Sequence, residues 1–444
     1  TEDVQSPRAS TWVHALPAIY NCLAVTRHPT LPEVAALALG GGAPLGHYPL
    51  AAKTLIMELR LAKPGDKPRI MHKLPMELPV NDMVFADMNG QRGQELVIAP
   101  EGGEIAVFHI TEREAINITK TLNINSGIGN WNSLACFDFS GNGRNDLLAG
   151  NWGSNNSLKR YIENNYRLYY HKDGGSTRLF ETFQAKGKNI LKSDLAKFKS
   201  NNPLRGLMYR THRSFQLEGV EDIFEGVPKY RTLNTLKTKL FLNDNGKFEP
   251  FSLPEVVQFT PTFGIAVEDF DLDGLLDIAL CQGFNDFYGS DEPQTNTSNL
   301  ILLNRIAAGG SFKVRRNSGT VANSTYPRII GSGDFNEDNR PDLVIPDYNG
   351  GIRYYTNKNP KNGIKLRLNG DSTKLIGLKA RLRYKGGSKG PMYEYVPKYG
   401  YRKEAPQYFI FGSRVTVEVI EIIDRFKVSE LKIVPGKSSY TWNY

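Results

Sequence analysis

The sequence predicts an all-β fold built from repeated units of short antiparallel strands, and three observations carry that prediction. Apolar residues alternate with period two between Asn, Asp and Gly turns. The 444 residues include 42 glycines and 11% aromatic side chains, a pairing that suits tight turns and pleated, half-buried surfaces. The most specific observation is an aspartate-rich pattern that recurs four times, each time ahead of an apolar strand.

In each copy oxygen-bearing side chains stand at relative positions 1, 3, 5 and 9. The copies are Asp87, Asn89, Gln91 and Glu95; Asp138, Ser140, Asn142 and Asp146; Asp269, Asp271, Asp273 and Asp277; and Asp334, Asn336, Asp338 and Asp342. The spacing resembles a calcium loop without its helices: alternate side chains of a tight turn converge, and the last carboxylate closes the shell. The main-chain carbonyl at position 7, as at Arg144 and Arg340, supplies a further ligand. Four carboxylates gathered at Asp269–Asp277 would repel one another severely, so a hard divalent ion is expected there. Six to eight oxygens in a flexible loop favour Ca²⁺ over Mg²⁺. Asp, Asn and Gly are also turn formers. A lone loop would read as a polar turn; four in register do not. Two to four Ca²⁺ ions are therefore expected, first at Asp269, then at Asp334 and Asp138, and last at Asp87, where Gln91 replaces an acid.

The Asp-x-Asp-x-Asp-Gly-x-x-Asp run at Asp269–Asp277 resembles the loop of FG-GAP/VCBS repeats, the units of integrin-α-type β-propellers. Further segments resemble propellers that end in an ASPIC/UnbV domain, the cartilage acidic proteins and bacterial secreted proteins among them. They include Leu39–Leu50, Trp131–Ala135, Ala149–Asn155 and Gln258–Gly264, then Lys365–Gly370, Ile376–Leu382, Tyr399–Tyr401, Tyr408–Gly412 and Val434–Lys437. Two family signatures are shortened here, to Val434-Pro-Gly436 and Phe411-Gly-Ser413. The resemblance implies a β-propeller over 1–357 and an ASPIC/UnbV-like β-domain over 361–444. It also implies that the loops act as structural staples while the array offers a binding face.

Loop starts at 87 and 138, and at 269 and 334, are one blade apart. The longer gap between 138 and 269 is read as one blade with a helical insertion at about 184–235, because Ser193–Phe198 and Val220–Glu225 carry cap-like residues and amphipathic spacing. Degenerate blades are expected at Cys22–Gly42, where Glu33 alone survives, and at His171–Phe183, where Asp173 does. Seven blades are preferred and six are the alternative, since radial closure protects the sheet edges. Asn357–Asn362 reads as the linker to the C-terminal domain.

The net charge of +9 is split unevenly: residues 361–444 carry 17 Lys/Arg against 7 Asp/Glu, and residues 184–240 carry 12 against 5. The body is therefore acidic and the two modules basic, which suggests an acidic partner surface. The three cysteines, Cys22, Cys136 and Cys281, lie in apolar strand contexts and read as small buried hydrophobes. The seven histidines show no paired spacing, and neither a nucleophile elbow nor a phosphate loop is present. Together these features predict a calcium-stabilised binding or adhesion module without catalytic activity. It would sit secreted or at the cell surface, its signal peptide removed, with a protein or glycan partner, no nucleic acid and no transmembrane segment. A subunit of a larger surface assembly is the alternative, and a propeller enzyme with a central-channel site is the third reading.

Overall fold

Alternating apolar side chains let each strand bury one face, and the computed structural model of the chain gathers such strands into mostly antiparallel sheets. The structure describes residues 20–27, 34–43, 48–60, 69–91, 93–173, 176–216, 218–223, 229–283, 299–315, 327–346, 351–397, 406–424 and 427–444. Glu33 and the segment Tyr399–Tyr401 lie outside these residues, as does part of Leu39–Leu50.

Among the described residues five meanders follow one another along the chain. The first joins Tyr20–Arg27, Val34–Gly41, Leu55–Arg60 and Arg69–Lys73; the second Val80–Ala86, Glu95–Gly103, Ala106–Ile110 and Ala115–Asn117. The third joins Ser133–Phe137, Asp146–Gly150, Lys239–Asp244 and Lys247–Phe251. The fourth joins Thr262–Glu268, Asp277–Gln282, Leu300–Leu303 and Lys313–Val314, and the fifth Gly331–Gly333, Asp342–Pro346 and Ile352–Tyr355. The first strand of each meander packs beside the first strand of the next. Val84, Leu134 and Ile265 on these strands are buried in one continuous core. The chain is all-β in class, and among the described residues the series does not close on itself.

Among the described residues five serial meanders stand where seven or six blades were expected. One reason lies in the His171–Phe183 region, expected as a blade of its own. Its strands belong to a sheet nested inside the third meander, joining Lys188–Leu191, Ser176–Ala185, Arg167–Asp173 and Lys229–Thr232. The insertion is thus a mixed unit, with short helices at Leu195–Asn201, Pro203–Gly206, His212–Gln216 and Val220–Ile223 on that sheet. Asp194, one of the cap-like residues of Ser193–Phe198, caps the first helix by accepting from the Lys197 amide at 2.7 Å.

The C-terminal part holds two sheets. One orders Tyr408–Phe411, Ile364–Asn369 and Ser439–Asn443, the last two parallel; the other orders Tyr393–Glu394, Lys379–Tyr384, Val417–Asp424 and Lys427–Lys432. Leu366, Leu378, Phe411 and Ile420 join the same hydrophobic cluster as the meander strands, so both parts share a core. The expected linker is pinned rather than free: Asn357 Nδ2 and Asn359 Nδ2 donate to the carbonyls of Phe270 and Asp271 at 2.9 and 2.7 Å. Cys136 and Cys281 are buried thiols outside any disulfide, and Cys22 is half-buried. Among the described residues no helix is long and apolar enough to cross a membrane.

Candidate functional site

Each aspartate-rich loop is the turn between the first and second strands of a meander, from the second meander to the fifth. The equivalent turn of the first meander, at 28–33, lies outside the described residues. The position-1 aspartate folds back on its own turn. Asp138 accepts from the Asn142 and Gly143 amides at 3.0 and 2.7 Å, Asp269 from Asp273 and Gly274 at 3.0 and 2.8 Å, and Asp334 from Asp338 and Asn339 at 2.9 and 3.0 Å. Asp87 accepts from the Gly90 amide at 2.8 Å. These bonds satisfy turn amides that point into the loop, which is why aspartate is used there.

The position-9 carboxylate ties the turn to the third strand. Oxygens of Glu95, Asp146, Asp277 and Asp342 accept from the amides of Met88, Ser140, Phe270 and Phe335 at 2.9, 2.8, 3.0 and 3.3 Å. The second oxygen of Asp146, Asp277 and Asp342 accepts from the amide of Asn243, Asn304 and Asn357, each at 2.7 Å. In the second meander His109 Nδ1 takes that place, 3.0 Å from Glu95 Oε1.

Those three asparagines were not singled out from the sequence. Their side chains link neighbours: Asn243 Nδ2 reaches Met88 O, Asn304 Nδ2 reaches Phe139 O, and Asn357 Nδ2 reaches Phe270 O, at 3.0, 2.7 and 2.9 Å. Each acceptor is position 2 of the preceding meander's loop. The signal was present as an Asn at or just past the end of an apolar strand, in Phe241-Leu-Asn243, Leu302-Leu-Asn304 and Tyr355-Thr-Asn357.

All four position-1 aspartates also meet the C-terminal part through Oδ2. Asp87 pairs with Lys379 Nζ at 2.5 Å and Asp334 with Lys365 Nζ at 2.6 Å. Asp138 accepts from the Met392 amide at 2.8 Å, and Asp269 from the Gly412 amide at 3.0 Å. Tyr408 Oη lies 2.6 Å from the Asp334 amide, which donates to it. Buried Glu394 accepts from Gln94 Nε2 at 2.6 Å and from Asn145 Nδ2. The C-terminal sheets therefore sit on the loops, and the partners come from 31 positions away at Asp334 to 292 at Asp87.

The position-3 and position-5 side chains divide by loop. Asn89 donates to Glu95 at 2.7 Å and accepts from the Gln91 amide at 2.7 Å. Ser140 Oγ lies 3.4 and 3.3 Å from Asp138 and Asp146, while Asn142 Nδ2 donates to Asn243 O at 2.8 Å and its Oδ1 accepts from the Arg144 amide at 2.9 Å. Asn336 Nδ2 donates to Asp338 at 2.8 Å, and the Arg340 guanidinium pairs with the same carboxylate at 2.6 Å.

Among the described residues, the three carboxylates drawn together as a metal-sized group are Asp269, Asp271 and Asp273, with ligand atoms within 4.8 Å of one another. Asp271 Oδ1 is buried with no hydrogen-bond partner, an orphaned acceptor that a cation would satisfy. The donor set fits a hard cation. It also has a competitor: Arg305 bridges Asp271 and Asp273 at 2.6 Å to each, and Arg414 reaches Asp273 at 2.5 Å. The charge that the sequence assigned wholly to an ion is thus partly balanced by guanidinium groups.

Burial governs the proton affinities. Desolvation, with repulsion from neighbouring acids adding to it, raises Asp269 and Asp146 to about 7, while amide hydrogen bonds pull the other way. Asp138, Asp273 and Glu95 are raised by the same cause, and Asp277 well above the usual range.

No family model matches the chain, and no curated protein matches it. Among solved structures, the computationally designed Ika8 protein aligns over 94% of this chain and 98% of its own length at 8% identity, with a TM-score of 0.29. A likeness that low carries no argument about fold or function.

Proposed function

We propose that the chain is a calcium-stabilised, non-catalytic binding scaffold of the extracytoplasmic space, with FG-GAP/VCBS-type meanders set radially as propeller blades and an ASPIC/UnbV-like domain seated on their turns. One observation carries the reading. The acids that make the motif hold the repeat together, each position-1 aspartate joining its own turn to the C-terminal sheets. Groups engaged in this way are staples rather than reactants. The side-by-side order of the first strands supports the radial arrangement. The Asp269, Asp271 and Asp273 group and its orphaned oxygen support the cation. The partner, a protein or glycan at the surface, would meet the faces that the docked C-terminal sheets leave open.

Melting curves in calcium, magnesium and EGTA test the cation. A site binding only the folded chain stabilises it by about 2.7 kcal/mol at a hundredfold excess over Kd, so calcium should raise Tm and Asp271→Asn should remove the increment. Superimposable curves in all three would overturn the calcium part. A candidate glycan or protein ligand should be retained unchanged by the folded chain; its chemical turnover would overturn the non-catalytic part.

A further inference from the structure

The insertion within the third meander carries a feature that the staples do not use. Residues 195–216 contain five Lys/Arg and no Asp or Glu. Inward, Leu195, Phe198, Tyr209 and Phe215 are buried together, with ring centroids 4.9 Å apart for Phe198–Phe215 and 5.2 Å for Tyr209–Phe215. Gly206 allows the helices to approach closely, since a Cβ there would lie 2.9 Å from Lys199 Cα. The unit is well packed. Outward, however, Leu204 on the Pro203–Gly206 helix and Leu207 and Met208 on the turn that follows it are 83, 80 and 76% exposed. Lys197, Lys199, Arg210, His212 and Arg213 are exposed on the same segment.

From this we infer that the 195–216 tip docks on an anionic lipid surface, Leu204, Leu207 and Met208 entering the headgroup region while the lysines and arginines pair with lipid phosphates and carboxylates. The folded unit already buries its own apolar residues, so the outward trio answers no demand of folding. Three side chains of roughly 100 Å² apiece fall far short of the ~1,200 Å² or more that a stable protein interface buries. A bilayer needs no such area, because shallow apolar insertion and attraction by basic residues add to each other. Charge complementarity thus selects an anionic bilayer over a protein partner.

Co-sedimentation of the full chain with vesicles tests the inference. Binding is expected to phosphatidylcholine vesicles containing phosphatidylserine, and to be much weaker with phosphatidylcholine alone. Leu204→Ser/Leu207→Ser/Met208→Ser should reduce binding at least tenfold, and Arg210→Gln and Arg213→Gln about fivefold each, as the loss of ~1 kcal/mol per basic residue near such a surface requires. Because all five side chains are exposed, circular dichroism should show the variants folded. No binding to the anionic vesicles, unchanged binding by the triple variant, or binding to poly-glutamate without binding to vesicles would each overturn the inference.

Discussion

Asn304 donates through Nδ2 to the main-chain oxygen of Phe139, 165 positions away and one meander earlier, at 2.7 Å. The same nitrogen donates to Leu276 O at 3.0 Å, and the Asn304 amide donates to Asp277 Oδ1 at 2.7 Å. One side chain thus joins its own turn to its neighbour's, and Asn243 and Asn357 repeat the arrangement. Asn304→Ala would leave two buried carbonyls without a donor, each costing about 1–3 kcal/mol. Equilibrium urea unfolding should show a loss of roughly 2–5 kcal/mol, whereas Asn155→Ala, at an exposed bend, should change little.

Gly412 supplies the amide that meets Asp269, and it does so at a close approach. A Cβ there would lie 2.2 Å from Asp269 Oδ2 and 2.4 Å from Leu272 main-chain atoms. Gly412→Ala should therefore push the C-terminal sheet off this turn, lowering Tm by several degrees at least. Gly331→Ala is the control without crowding, since its added Cβ would meet nothing closer than 3.8 Å and should change Tm little.

Lys365 and Asp334 form an ion pair with side chains 2% and 0% exposed. Removing one partner of such a pair strands a buried charge at about 3–5 kcal/mol. Lys365→Met should cost that much, and adding Asp334→Asn should restore part of it. A double-mutant cycle on unfolding free energies measures the coupling, and additive losses would place the pair outside the account.

The raised carboxylates set a pH dependence with a definite sign. Burial lifts Asp146 and Asp269 to about 7 in the folded chain, against about 4 in an unfolded one. The folded chain thus holds extra protons between those limits. Its advantage is complete below about pH 4 and is lost as pH rises through about 7. In EGTA, Tm should fall from pH 5 to pH 8, and Asp146→Asn should flatten the slope. A cation bound at Asp269 competes with its proton, so the calcium increment should grow over the same interval.

What the sequence made legible was local. Period-two strands and the Asp spacing placed every loop from 87 to 342 at a strand-to-strand turn, because turn chemistry is written within a few residues. The counter-charges were not legible. Arg305, Lys365, Lys379 and Arg414 sit far along the chain from the acids they meet, and only packing brings them together. The His171–Phe183 segment of the nested sheet was read as a blade for a related reason: strand patterning gives the period of a segment but not which sheet it joins.

The account's central claim is that the aspartate turns join the meanders and the C-terminal sheets into one cooperative unit. Hydrogen exchange of the full chain in rising denaturant, followed at Leu147 and at Leu366, measures this most directly. The account expects both amides to open with the same free energy and the same denaturant dependence. Exchange of Leu366 through a separate opening of lower free energy, with Leu147 still protected, would contradict it.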